Sequence, residues 1–285
     1  MRPVLGLGVD YQHNGPQMLQ RLQQRFGDRL SHVSVVALID TAQAADFREI
    51  FSGLPVIHHL SGVAPADTYG PSLDVLRRQD EISRELDAAW CGEDIGAWSL
   101  GPYAIPYFAP PLFEASVADL VADRIRAVMD RSSVAFLAEI PSCSFVVGRL
   151  TLGEFFHRLV DRSGCGVVLD ISHVFSYALY RGLDPLEVLE SLPLDAVWQI
   201  HIAGGRISDE QSYYYIDSHD DLILPEVEAL LEAALSRCHE LRAITYEIGT
   251  KLSDDVLDQE MTRVETLLRA RSYQSRLVGE GVEHD

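Results

Sequence analysis

The chain has 285 residues, 47% of them hydrophobic, enough for one large α/β domain or two average ones. Its 43 acidic side chains against 23 basic ones give a formal charge of −20. That balance argues against a nucleic-acid backbone as partner, since such a contact needs clustered Lys and Arg. No run of eighteen apolar residues occurs, and the first residues, Met1-Arg2-Pro3-Val4-Leu5-Gly6, lack the apolar stretch and cleavage site of a signal peptide; no membrane span and a cytoplasmic location are therefore expected.

In chain order, β-forming apolar runs are predicted near residues 4–9, 33–39, 55–60, 88–94, 134–140, 166–171, 197–202 and 243–248. Helical periodicity falls between them, for example at 16–26, 73–89, 117–129, 152–160 and 227–235. Eight mostly uninterrupted apolar strands alternating with helices predict a TIM-type (β/α)8 barrel over residues 1–271, with a polar tail at 272–285. The alternative is a doubly wound sheet, but its Gly-x-Gly-x-x-Gly loop is missing: Gly6-Leu7-Gly8 lies within the first strand and has no third glycine.

Two segments, 95–113 and 204–222, are longer than a barrel requires. The first carries Trp98, Tyr103, Tyr107 and Phe108, and the second carries Tyr213-Tyr214-Tyr215. Both follow strands, on the face where barrels keep their active sites, so they either line a substrate groove or simply pack as loops. Cys91, Cys143, Cys165 and Cys238 show no Cys-x-x-Cys spacing, which sets aside a zinc ribbon, a disulfide framework and thiolate ligation.

The predicted strands share one design: a β-forming run that ends in a carboxylate or an imidazole. Buried strand ends seldom carry charge unless it is paired or bound to metal. Glu139 ends Phe136-Leu137-Ala138, Asp170 ends Val167-Val168-Leu169 with His173 three residues on, and Glu247 ends Ile244-Thr245-Tyr246. His201 lies between Ile200 and Ile202, followed by Ala203-Gly204-Gly205, where the backbone can approach a ligand closely. In Asp217-Ser218-His219, side chains at i and i+2 of an extended segment share a face. Of the neighbours His58 and His59 only one can point into a barrel, and Gly92-Glu93-Asp94 ends the fourth run with two acids. Taken singly, each residue has an ordinary structural explanation, such as a helix cap for Asp170 or a satisfied core position for His201. Together they predict a polynuclear site of nitrogen and oxygen ligands, suited to iron, manganese, zinc or cobalt. A serine triad is not expected from Asp217-Ser218-His219, because adjacent side chains diverge.

At these motifs the chain resembles the multinuclear non-haem iron-dependent oxidases that include the methanobactin biosynthesis oxidase. The resemblance spans most of residues 4–250 and rests on Gly6-Leu7-Gly8-Val9 with His13, Pro55 to His59, Leu137-Ala138-Glu139, Leu169-Asp170-Ile171-Ser172-His173, Ile200-His201-Ile202-Ala203-Gly204, Asp217-Ser218-His219 and Tyr246-Glu247. The His-x-Ala-Gly and Asp-Ser-His elements are the most specific. Carried over, it implies metal-ligand roles for Glu139, Asp170, His201, Asp217, His219 and Glu247, and it selects His59 over His58, which stays in reserve. Asp94 and His173 complete the candidate ligands as departures: the family has histidine at the former and asparagine at the latter, and both substitutes can bind metal. Asp170 and Glu247 are also the candidate catalytic carboxylates. The resemblance further implies a triosephosphate-isomerase-type barrel, two or three irons, and dioxygen as co-substrate. The implied substrate is a cysteine residue of a ribosomally made precursor peptide, in some members recruited by a partner protein.

Two other readings compete. A metal-dependent isomerase or endonuclease of the xylose-isomerase-like barrel also uses Glu, Asp and His at strand ends, but a phosphodiester substrate calls for basic residues, and Arg206 and Lys251 are the only obvious candidates. A non-catalytic scaffold has no need of so many ligand types.

Overall fold

All eight predicted strands form, and they close on themselves. The computed structural model describes residues 4–12, 15–36, 40–143 and 145–280. Its elements are, in order, β1 (Leu7–Gln12), α1 (Gly15–Phe26), β2 (Val33–Val36), α2 (Thr41–Ile50), β3 (Val56–His59), α3 (Leu73–Glu85) and β4 (Cys91–Asp94). There follow β5 (Ala97–Leu100), β6 (Tyr103–Ala109), α4 (Ala115–Met129), β7 (Phe136–Glu139), α5 (Leu152–Ser163), β8 (Gly166–Asp170), α6 (Ile171–Arg181) and α7 (Pro185–Glu190). The chain ends with β9 (Val197–Ala203), β10 (Arg206–Ile207), β11 (Tyr215–Ile216), α8 (Pro225–Arg237), β12 (Ala243–Glu247) and α9 (Asp254–Glu280). Strands β1, β2, β3, β4, β7, β8, β9 and β12 make the barrel, every neighbouring pair parallel, and β12 returns to pair with β1.

Alternation along each strand divides its side chains between two cores. Val9, Val33, Val35, Phe136, Leu169, Ile200, Ile202 and Tyr246 belong to the large core between strands and helices. Ile57, Trp90, Leu137, Val168 and Ala243 form a separate cluster, the apolar filling inside the barrel. Above that filling lies a polar layer. The Trp90 indole N–H donates to Gln199 Oε1 at 2.8 Å, Gln199 Nε2 donates to Thr245 Oγ1 at 2.9 Å, and Thr245 Oγ1 lies 3.0 Å from His32 Nε2. Further along the same strands come the acids and histidines at the barrel mouth.

Several expectations need correction. The predicted 73–89 helix ends at Glu85, because Asp87 turns left-handed with φ 51°. Segment 95–113 is not a plain loop: β5 and β6 form an antiparallel hairpin, and 204–222 contains the short β10–β11 ladder. Helices α2, α6, α7 and α9 lie outside the stretches given above as examples of helical periodicity; α6 starts at the residue after β8 with no intervening turn. Helix α9 runs through residue 271 without a break. His13, residues 37–39 of the predicted second strand, and residues 281–285 of the predicted tail lie outside the described residues. No described helix is long and apolar enough to cross a membrane.

Phe155 of α5 is fully buried, its ring 5.2 Å from Phe113 and 6.0 Å from Phe156. Phe155→Ala leaves a cavity in the helix–strand core and is expected to destabilise the protein by about 3–5 kcal/mol. Urea unfolding followed by circular dichroism checks this as a lower midpoint with an unchanged slope.

Candidate metal centre

Parallel strands in register bring their C-terminal ends to one opening, and parity decides which side chain of each neighbouring pair reaches it. On β3, His59 shares the parity of Ile57 and faces inward. His58 faces the helices, its Nδ1 2.7 Å from the Ser83 hydroxyl of α3, and so stands outside the cluster. On β4, Asp94 faces inward, whereas Glu93 is buried on the other side, where its Oε1 accepts from the Ala64 N–H at 3.1 Å.

Nine of the ten sequence-derived candidates converge: His59, Asp94, Glu139, Asp170, His173, His201, Asp217, His219 and Glu247. Glu139 is the hub. Its Oε2 lies 2.7 Å from His59 Nε2 and its Oε1 2.8 Å from His201 Nδ1. Glu247 reaches His201 at 3.3 Å and His219 at 3.5 Å, while Asp217 Oδ2 reaches His173 at 3.1 Å and His219 at 3.4 Å. Three overlapping groups place their ligand atoms within 4.8 Å of one another: His59, Glu139 and His201; Glu139, Asp170, His201 and Glu247; and Asp94, Glu139 and His173. Glu139 belongs to all three.

Local structure explains how each side chain gets there. Asp170 serves both roles its sequence position allowed. It ends β8 and caps α6, its Oδ1 accepting from the His173 N–H at 2.8 Å, while Oδ2 stays buried without a partner. His173 Nδ1 lies 2.7 Å from the Ile140 carbonyl and so donates to it, which leaves Nε2 for the site. His59 does the same with the Leu60 carbonyl at 3.0 Å. Asp217 and His219 do not meet through strand alternation, as the sequence pattern suggested. β11 ends at Ile216 and His219 adopts φ 56°, a left-handed turn that swings its ring back to Glu247. Two glycines hold that turn. The His219 N–H donates to the Gly204 carbonyl at 2.9 Å, and the Gly249 N–H donates to the His219 carbonyl at 2.9 Å. A Cβ at Gly204 would sit 1.7 Å from the Asp221 carbonyl oxygen, and one at Gly249 2.4 Å from that of His219.

Sequence reading missed Asp10. It follows Leu7-Gly8-Val9 on β1, obeying the same strand-end rule, but the strand was predicted to stop one residue short. Asp10 is 2% exposed, its Oδ1 accepts from the Ile248 N–H at 2.6 Å, and its Oδ2 has no partner. Burial, with Glu247 nearby, pushes its carboxyl up to about 7. Arg206 and Lys251, the basic candidates, pair with Asp221 at 3.0 Å and Asp220 at 3.7 Å, and neither lines the cavity.

The donor set fits metal. Asp94 Oδ1, Asp170 Oδ2 and Asp217 Oδ1 are buried oxygens with no hydrogen-bond partner, each a lone pair facing an incomplete electrostatic environment. Without a metal, the imidazoles must balance the carboxylates as cations. Burial pulls the His59 imidazolium down, but Glu139 and Asp94 overcome it and hold it at about 9. For His219 burial is overcome by Glu247 and Asp217, to about 10. His173 and His201 are likewise raised well above the ordinary histidine value, against burial, by Asp170 and by Glu139 respectively. Seven of the nine converging residues, all but Asp170 and His201, line a cavity of about 310 Å³ together with Trp98, Tyr107 and Phe108; none of its described lining residues is Lys or Arg.

The comparisons agree with this picture. The model of the family described as RiPP precursor modification enzyme MbnB/TglH/ChrH matches residues 5–269. A UPF0276 protein of Acaryochloris marina is 27% identical over 260 residues, covering 86% of this chain and 92% of that protein. One from Rhizorhabdus wittichii is 27% identical over 239 residues, covering 83% and 84%. Among solved structures, endonuclease IV of Thermus thermophilus aligns with a TM-score of 0.59 at 17% identity, covering 94% of this chain and 100% of that one. A xylose isomerase-like TIM barrel protein of Mycobacterium smegmatis in complex with magnesium aligns at 0.58 with 13% identity, covering 96% and 97%. At these identities the structural likeness concerns the fold alone.

Two outcomes test the centre. His59→Ala is expected to lose bound metal while His58→Ala keeps it, measured by elemental analysis of the purified variants. Because His59 and His219 hold protons below about 9 and 10 in the metal-free protein, metal uptake at neutral pH must release protons, and affinity must rise with pH up to that range. Calorimetric titration of apo-protein in buffers of different ionisation enthalpy reads the released protons directly.

Proposed function

Since the chain belongs to the RiPP precursor modification enzyme family MbnB/TglH/ChrH, we propose that it is a dioxygen-dependent iron oxidase acting on a cysteine residue of a ribosomally synthesised precursor peptide. The observation that carries this reading is Glu139, a carboxylate shared by three overlapping nitrogen–oxygen ligand groups with no thiolate among them. Such a donor set suits redox-active iron, and a shared carboxylate suits metals held side by side. Two or three irons are the stoichiometry that these groups support.

His59 and Glu139 would hold one ion; Asp170, His201 and Glu247 would hold a second with Glu139; Asp94 and His173 would offer a third position. The bound metal supplies Lewis acidity toward the thiol and a route for its electrons to dioxygen. The chain's own residues do the rest. Capping α6 fixes Asp170 through Oδ1 and leaves Oδ2 without a hydrogen-bond partner. The Ile140 and Leu60 carbonyls fix the ring planes of His173 and His59. Gln199 backs His201 from the layer below, its Nε2 2.8 Å from His201 Nε2. The aromatic wall of Trp98, Tyr107 and Phe108 narrows the cavity and keeps bulk water from the reacting carbon. A phosphodiester or sugar-phosphate substrate is less favoured, because the described lining offers no Lys or Arg to an anionic group.

Protein purified without oxygen is expected to carry about two or three irons per chain and to consume dioxygen when given a cysteine-containing peptide. A single tightly bound zinc or magnesium, with no dioxygen uptake after iron reconstitution, overturns the reading. His201→Ala and Asp217→Ala are each expected to abolish iron loading while leaving the far-ultraviolet circular dichroism of a folded barrel; normal iron content in both removes them from the ligand set.

A further inference from the structure

We propose that the β5–β6 hairpin is the docking rim for the substrate, taking a polypeptide segment in which the reacting residue is flanked by apolar side chains. This rests on the peptide-modifying reading given above and adds which part of the chain recognises the peptide and which flanks it selects.

The hairpin is irregular in one telling place. Ser99 pairs with Ala104 and Ala97 with Ala109, so Ile105, Pro106, Tyr107 and Phe108 all stand opposite Trp98 alone. A bulge of this kind re-aims side chains. Here it stacks Tyr107 on Phe108 with ring centroids 4.6 Å apart and brings Phe108 within 5.2 Å of Trp98, and all three rings line the cavity that contains His59, Asp94, Glu139 and Asp217.

The rim is held rigidly from below. Phe108 is 6% exposed, and a Cβ at Gly96 would come within 2.4 Å of its ring. The Asp67 carboxylate accepts from the Trp98 and Ser99 N–H groups and from the Ser99 hydroxyl, the last at 2.7 Å. Arg124 in turn donates to the Asp67 and Pro65 carbonyls at 2.6 and 3.1 Å. A preorganised wall of this kind loses little entropy on binding.

Above this anchored base the same hairpin is apolar and uncovered. Tyr107 is 61% exposed, Tyr103 75% and Leu100 59%, with Tyr69 at 76% beside the hairpin tip. Large exposed apolar side chains gathered on one hairpin mark a binding face. Tyr107 identifies the occupant, because it belongs both to this outer strip and to the cavity wall. A ligand covering both must run along the surface and send one group inward, as a polypeptide does and a free small molecule does not. The cavity, about 310 Å³, accepts a side chain rather than a folded domain. Both hairpin edges are unpaired among the described residues, but Pro106 on β6 lacks an N–H, so side-chain contacts rather than a continuous ladder must carry the recognition. Carboxylates on the cavity floor and a net charge of −20 oppose acidic flanks.

The test uses iron-loaded, full-length protein under anaerobic conditions and two fluorescein-labelled nonapeptides with a central cysteine, one flanked by Leu and Phe, the other by Glu. Fluorescence anisotropy is expected to show the apolar-flanked peptide bound about tenfold more tightly or better. The double variant Leu100→Ser/Tyr103→Ser is expected to lose about tenfold in that affinity with unchanged iron content. Comparison of the two peptides on the unaltered protein needs no variant to fold. Equal binding of the two peptides, or an unchanged affinity in the double variant, overturns the docking rim while leaving peptide oxidation standing. If neither peptide binds, yet cysteine methyl ester supports dioxygen uptake, both the rim and the peptide reading fall. If sedimentation shows a dimer that the double variant converts to a monomer, the strip belongs to a second copy of the chain and the proposal is wrong.

Discussion

A carboxylate taken out of water without a counter-charge costs several kcal/mol, and this barrel gathers Asp94, Glu139, Asp170, Asp217 and Glu247 around one opening. Four imidazoles stand among them, and their raised proton affinity shows the sign of the imbalance: in the absence of metal, the cluster retains protons to compensate for missing positive charge. Bound cations do the same work better, because each can face several oxygens at once. The arrangement is costly as protein and favourable as metalloprotein. Most other features around the mouth can be understood as ways of keeping these groups in place.

The supporting parts are spread over the whole fold. Strand alternation, fixed by the apolar filling of Ile57, Trp90, Leu137, Val168 and Ala243, sends His59 and Asp94 inward while their neighbours His58 and Glu93 turn away. The polar layer of Gln199, Thr245 and His32 separates that filling from the site and gives His201 a partner on its far side. Glycines at 204 and 249 let three backbone segments approach closely enough for a left-handed His219 to complete the set. No single element owns the centre.

Asp94 and His173, the two departures from the resembled pattern, turn out to be related in space. Both fall in one ligand group with Glu139. The imidazole absent from the end of β4 has a counterpart in the imidazole gained on α6, so that position keeps one nitrogen and two carboxylates. Replacements far apart in the chain are thus local to a single site.

Much of this was legible from sequence, for identifiable reasons. A parallel barrel buries both faces of each strand, so its strands read as continuous apolar runs, and a charged residue closing such a run stands out. That pattern revealed Glu139, Asp170, His201 and Glu247 and the eight-strand count. It failed where local pattern and spatial outcome separate. Asp10 was missed because a strand boundary is uncertain by a residue, and for Asp170 the strand-end and helix-cap readings stood as rivals although the acid does both. The resemblance selected His59 over His58, and barrel parity supplies the physical reason, turning His58 to the helices. The bulge that turns Tyr107 and Phe108 over the site, and the turn that brings His219 to Glu247, depend on pairings between segments distant in sequence or bent out of regular geometry. The sequence alone therefore determined which chemical groups this protein can bring to metal. Only the closing of β12 against β1 and the anchoring of two excursions over the mouth decided which of them meet, because convergence is a property of packed backbones rather than of any one run of residues.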